Sequence, residues 1–225
     1  MAGIARIVVP GVPHHVTQRG NRRERVFFND DDYRVYLSLV GRAARAAGVE
    51  IWAFCLMPNH VHFILTPTTT DGLRRTFGAA HKQYAGRINA RHGWSGHLWQ
   101  DRFFSTPMDE RHVSAALRYV AMNPVEAGLV ARPQDWRWSS VHTHLLAREG
   151  GFVAVEPVLS RTGNFLAFLG QEADLPATAG LVAAEATGRP VGGDEWIKGL
   201  EAQTGRALAP AKRGRKSARN SVTVN

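Results

Sequence analysis

Apolar and polar positions alternate along the chain with two different periods, and these divide it into short elements. Ile4–Val9 is a brief apolar run, and His15–Asn21 reads as a strand that ends in a Gly-Asn turn. Between Asp32 and Ala47, the positions Tyr36, Leu37, Val40, Ala44 and Ala47 recur at helical spacing. Asn29–Asp32 offers N-cap residues for that helix, and Gly48 stops it. Ile51–Met57 and His60–Thr66 are strand-like runs joined by Pro58-Asn59, which predicts a hairpin. Asp71 caps a second predicted helix running to about Ala90, with Arg74, Arg75, Lys82 and Arg87 on its polar face. Gln100–Pro107 predicts a further strand. Asp109 caps a third helix ending near Met122, with Val113, Ala116, Leu117 and Val120 as its apolar stripe.

The pattern loosens toward the C-terminus. Trp136–Ser140 reads as the start of a short helix, and Phe152–Phe168 is moderately apolar. An Ala-rich stretch around Ala173, Ala177 and Ala179 follows, then a Gly/Pro linker at Gly188–Gly193 and one small amphipathic helix over Asp194–Gly205. The chain shows no internal repeat. This order predicts an α+β domain over 1–148, a mostly helical extension over 149–205 and a basic, disordered tail over 206–225.

Two positions carry candidate chemistry. In a strand the side chains alternate faces, so His60 and His62 point the same way while Val61 points opposite. Their Cα atoms would lie about 6.6 Å apart, within reach of one divalent ion, although a lone pair at this spacing is often incidental. On the third helix, Tyr119 and Asn123 sit one turn and about 40° apart, beside the apolar stripe. Pro124 disfavours helix at the residue before it and places Asn123 at the helix end. The helix alone leaves Tyr119 open as a core-edge ring or as a group facing a cleft.

Composition narrows the class. At 44% hydrophobic and 21% charged residues, the chain has the balance of an ordinary globular protein. No run approaches 18 apolar residues and no convincing signal segment opens the chain, so a cytoplasmic protein without membrane contact is expected. Cys55 is the only cysteine, which excludes an intrachain disulfide and a multi-cysteine zinc site. The net charge of +9 is unevenly spread: residues 1–148 carry 19 Lys/Arg against 11 Asp/Glu, 149–204 carry 3 against 8, and 205–225 carry 6 against none. A basic first part and a basic tail suit a polyanion, although Arg-rich chains are also basic without one.

The chain resembles the REP-associated tyrosine transposases of bacteria, a branch of the single-tyrosine HUH transposases. The resemblance rests on His14–Asn21, Leu56–His62, Gly96–Phe103, Arg118–Val125 and Trp138–Ser140, in this order, with Gly188–Pro190 and Gly205-Arg206 in the extension. It implies a ferredoxin-like antiparallel sheet with helices packed on it, the HUH fold. It implies that His60 and His62 bind Mg²⁺ or Mn²⁺, with Asn123 as third ligand, helix capping being the other role open to that amide. Tyr119 would attack a phosphodiester of single-stranded DNA near a hairpin, leaving a 5′-phosphotyrosine and a free 3′-OH. Transesterification conserves the bond, so no nucleotide is needed, and no Gly-rich phosphate loop is present.

The same resemblance frames the remaining candidates. DNA contacts are expected from Arg19, Arg22, Arg23, Arg74, Arg75, Lys82 and Arg102, and from Tyr84 stacking on a base or touching phosphate. His15, next after Asn123 as a third ligand, is expected either to support the metal ligands from behind or to touch DNA. Tyr33 and Tyr36 read as helix packing, and Lys212–Lys216 as a nonspecific phosphate contact. One departure stands out: the family phrase Val-Arg-Ala-Gly is here Val125-Glu126-Ala127-Gly128, which removes a potential phosphate contact. Monomer and homodimer both fit, as does association with the nucleoid while on DNA. The competing functions are a hairpin-binding protein without catalysis and a metal-dependent hydrolase that uses water.

Overall fold

A computed structural model describes residues 6–148 and 151–209. The tail at Lys212–Lys216 lies outside the described residues. The first part runs β1 (His14–Arg19), α1 (Asp30–Ala47), β2 (Val49–Met57), β3 (His60–Pro67), α2 (Gly72–His92) and β4 (Phe104–Pro107). The strands form one antiparallel sheet in the order β2-β3-β1-β4, which is the expected ferredoxin-like arrangement.

Local chemistry sets the boundaries. The Asn29 side chain accepts from the Asp32 amide while Asp32 accepts from the Asn29 amide, a reciprocal cap that starts α1. Gly48 ends it in the left-handed region at φ 66°, where a side chain would be strained. Asp32 is fully buried and binds Arg91 at 2.6 and 2.8 Å, tying the start of α1 to the end of α2. Pro58-Asn59 turns β2 into β3, pairing Met57 with His60 and Cys55 with His62.

The sheet separates two cores. On one face Val16, Phe54, Leu56, Val61, Phe63 and Leu65 pack under α1 and α2. The apolar stripe of α2 is Leu73, Phe77, Ala80, Tyr84 and Ile88. On the other face Ala53, Cys55, Met57 and Ile64 meet α3 (Glu110–Glu126), which crosses the sheet on Val113, Ala116, Leu117 and Val120.

Two predicted boundaries differ. Helix α3 continues through Pro124 to Glu126 instead of ending near Met122. The buried row of Ala116, Val120 and Pro124 keeps facing the sheet, so burial outweighs the one hydrogen bond a proline forfeits. The last carbonyls are taken up by Ala127 on Asn123 and Gly128 on Val125. Trp136–Ser140 does not start a helix but runs along the open edge of β2, with Leu56 N donating to Trp138 O at 2.8 Å and Ser140 N to Phe54 O at 2.9 Å. Covering that edge removes a row of free backbone groups, and the helix α4 (Val141–Leu145) begins only afterwards.

The extension folds into α5 (Glu156–Thr162), α6 (Phe165–Gly170), α7 (Leu175–Glu185) and α8 (Asp194–Thr204). Val158, Phe165, Leu169 and Leu181 join the core between the sheet and α3. Helix α8 covers the segment before β1, where Leu200 and Leu208 pack on Ile7 and Val9. Among the described residues no helix is long and apolar enough to cross a membrane.

Candidate active site

The hairpin register decides which side chains share the α3 face. His15 lies opposite Ile64, Thr17 opposite His62 and Arg19 opposite His60, so all six project to one side. The His60 and His62 rings are 4.9 Å apart, as the strand period predicts. Each has its Nδ1 engaged: His60 with Asn59 Oδ1 at 2.6 Å and His62 with His15 Nε2 at 3.0 Å. The Nε2 of His62 is buried and has no hydrogen-bond partner.

Burial keeps these rings neutral. It lowers His60 to about 4, helped by Arg19, and His15 to about 3. Burial likewise takes His62 well below the usual imidazole range, with His60, His15 and Arg19 adding to it. A neutral imidazole with an orphaned buried nitrogen is the form that ligates a divalent cation. The donor set therefore fits a metal.

Tyr119 comes down on this pair from α3. Its ring stands edge-on to His62 at 5.5 Å and to His15 at 6.1 Å. Burial pushes its hydroxyl up to about 12, Glu185 and Glu126 add to the rise, and a hydrogen bond from the Asn123 side chain and the charge of Arg19 oppose it. Asn123 thus sits at the Tyr119 hydroxyl, one helical turn away. Beside the pair, a cleft of about 250 Å³ is bounded by Thr17, Arg19, His60, Phe104 and Glu185.

Glu185 escaped the sequence reading. It closes α7, is that helix's only charged residue, and brings Oε1 to 3.9 Å from His15 Nδ1. Burial raises its carboxyl to about 7, against the pull of Arg19. His15, His62 and Glu185 place ligand atoms within 4.8 Å of one another. An acid in an otherwise uncharged Ala-rich helix was the one available signal.

The other expected residues divide. Arg19 lines the cleft, and Arg22 and Arg23 are exposed in the turn after β1, at φ 52° and 63°, with the Asn59 side chain donating to Arg23 O. Arg102 is exposed between Gln100 and Phe104, two residues of the cleft wall. Arg74, Arg75 and Lys82 are exposed on α2, across the sheet from Tyr119, and form a separate surface. Two expectations fail. Tyr84 is fully buried and its hydroxyl donates to Val26 O at 2.6 Å, so no base can stack on it. His15 is 1% exposed behind His62, so of its two expected roles the DNA contact fails and the place behind the histidine pair stands.

Residues 9–123 match the profile of the IS200-like transposases. The chain belongs to that family. The matched span of this transposase ends at Asn123, so it holds the histidines and Tyr119 but not Glu185. Among solved structures, the transposase resembles a REP-associated tyrosine transposase bound to a REP hairpin, with 24% identity, 68% of this chain and 91% of that one covered, and a TM-score of 0.56. A putative transposase from Deinococcus radiodurans R1 is 20% identical, with 53% and 95% covered and a TM-score of 0.37. No curated protein matches the transposase.

Proposed function

We propose that this transposase cleaves and rejoins single-stranded DNA beside hairpins, with Tyr119 as nucleophile and a divalent cation, Mg²⁺ or Mn²⁺, as cofactor. The observation that carries the reading is the Tyr119 ring held edge-on against His62, whose Nε2 is buried and unpartnered. His60 and His62, with Asn123 from α3, would hold the cation, which supplies positive charge to the scissile phosphate. Tyr119 Oη attacks phosphorus, the bond to the 3′ oxygen breaks, and a 5′-phosphotyrosine and a 3′-OH result. The phenolic proton passes to solvent and the departing oxygen takes one up. Because the neutral phenol is a weak nucleophile, the hydrogen bond from Asn123 and the nearby charge of Arg19 help by favouring the ionised form.

Arg19 lines the cleft and would grip the strand entering it, with the exposed Arg22, Arg23 and Arg102 from the adjoining loops, while Arg74, Arg75 and Lys82 would meet DNA elsewhere. A hairpin of the REP kind is the proposed substrate, supported by the similar transposase bound to a REP hairpin and by the phrases shared with that group.

The test is a denaturing gel of labelled single-stranded hairpin DNA incubated with protein and Mn²⁺. A protein-linked band is expected that EDTA, Tyr119→Phe or His62→Ala each removes. Cleavage that survives Tyr119→Phe would establish the water-using hydrolase instead. Binding without cleavage across a panel of hairpins would establish the recognition protein.

A further inference from the structure

Three buried polar atoms around His62 lack partners: His62 Nε2, His15 Nδ1 and Glu185 Oε1. Between them runs one hydrogen bond, His15 Nε2 to His62 Nδ1 at 3.0 Å, across two nearly parallel rings. A neutral imidazole carries a single proton, so the direction of that bond fixes both tautomers. If His15 donates through Nε2, its Nδ1 lone pair faces the Glu185 oxygen at 3.9 Å, acceptor against acceptor, and His62 buries an N–H on nothing. If His62 donates through Nδ1, the Nδ1–H of His15 points to the carboxylate. His62 Nε2 is then a free, buried lone pair. The second assignment opposes no two acceptors and leaves no N–H of His62 on nothing, with the His15 N–H facing the Glu185 oxygen at 3.9 Å, an electrostatic contact longer than a hydrogen bond. His60 is tied in the same sense, its Nδ1 held by Asn59 Oδ1.

We propose that Glu185, carried by the C-terminal extension, acts through His15 to hold His62 in the tautomer that presents Nε2 to the metal. The proposal rests on His62 being a metal ligand, as in the function proposed above. Glu185 is a positioning residue at the end of a carboxylate–imidazole–imidazole relay, not a ligand. Supporting groups of this kind orient a ligating histidine and raise its basicity, and their loss commonly weakens metal binding 10- to 100-fold, about. The relay makes the extension part of the metal site, although Glu185 lies outside the span shared with the family.

The test uses the full chain with ¹⁵N-labelled histidine. In metal-free protein, long-range ¹H–¹⁵N spectra should show His15 and His62 both protonated at Nδ1. Glu185→Ala should move His15 toward the Nε2–H form and weaken Mn²⁺ binding, read from the free-Mn²⁺ paramagnetic resonance signal, by about tenfold or more. Glu185→Gln, which keeps an acceptor oxygen and serves if the alanine variant fails to fold, should retain the tautomers and bind Mn²⁺ with intermediate affinity. A proton on His62 Nε2 in the wild type overturns the relay. So does a Glu185→Ala variant with unchanged His15 tautomer, or a glutamine variant as weak as alanine with both tautomers unmoved, which would make Glu185 a direct ligand. His62→Ala separates the two levels: if it binds Mn²⁺ like the wild type, the metal assignment fails, whereas the tautomers are read without metal.

Discussion

Tyr119 depends on its neighbours for charge as much as for position. The exposed Glu126 and the half-buried Glu185 both oppose ionisation of its hydroxyl, after burial itself. Glu126 is the residue that departs from the family phrase, and its replacement is informative. Glu126→Arg should tighten binding of single-stranded DNA and steepen the salt dependence of its affinity by about 0.7 in log–log slope, the increment of one added phosphate contact. Fluorescence anisotropy at several salt concentrations measures this; an unchanged slope would place residue 126 off the DNA path. Tyr84 gives the opposite kind of test. Tyr84→Phe leaves the buried Val26 carbonyl without its donor and should cost about 1–2 kcal/mol in urea unfolding, with hairpin affinity unaltered. Its burial was legible in the sequence, since Leu73, Phe77, Ala80, Tyr84 and Ile88 recur at helical spacing. The arginines and lysine interleaved on the same helix mask that stripe.

Elements were readable where local chemistry set them and unreadable where tertiary burial did. The hairpin of β2 and β3 was fixed by its period and its Pro-Asn turn, so the facing of His60 and His62 followed directly. The continuation of α3 past Pro124 was not legible, because what holds the proline in the helix is its burial in the core. Trp136–Ser140 reads as a helix start and is not one for the same reason: the open edge of β2, invisible in sequence, makes it an edge strand's cover. Asp109, by contrast, is a local cap with a long reach. Its carboxylate accepts from His112 N and from the His112 ring, and also from Gly193 N at the start of α8. Asp109→Ala should therefore destabilise the protein by about 1–2 kcal/mol, at the upper end for a lost cap. Equilibrium denaturation with an unchanged m-value checks it.

Across the whole molecule, buried histidines couple stability to pH. Apart from the candidate site, burial holds His81 to about 3, where it shares a 2.9 Å hydrogen bond with the Tyr36 hydroxyl, and His144 to about 4. Unfolded histidine titrates near 6.5, so in mild acid the unfolded chain takes up protons that the folded one refuses. Stability should be full above about pH 6.5 and fall as pH drops toward about 4. A His81→Gln/His144→Gln protein should show a flatter Tm profile between pH 7 and 5, measured calorimetrically in EDTA; an equally steep one would contradict this origin. The extension gives the molecule its second lesson. Its helices were partly legible, but not that α7 would bring Glu185 to His15, since no pattern in one chain reports which distant helix end meets which strand.

In the proposed reaction the hydroxyl of Tyr119 becomes joined to DNA. The most direct measurement is mass spectrometry of the protein after reaction with a hairpin oligonucleotide in Mn²⁺, following nuclease and trypsin digestion. Trypsin cuts after Arg118, so one peptide begins at Tyr119 itself. A nucleotide phosphate on that tyrosine is the predicted result. Cleaved DNA with an unmodified Tyr119 peptide, or the nucleotide on Tyr33, Tyr36 or Tyr84, would contradict it.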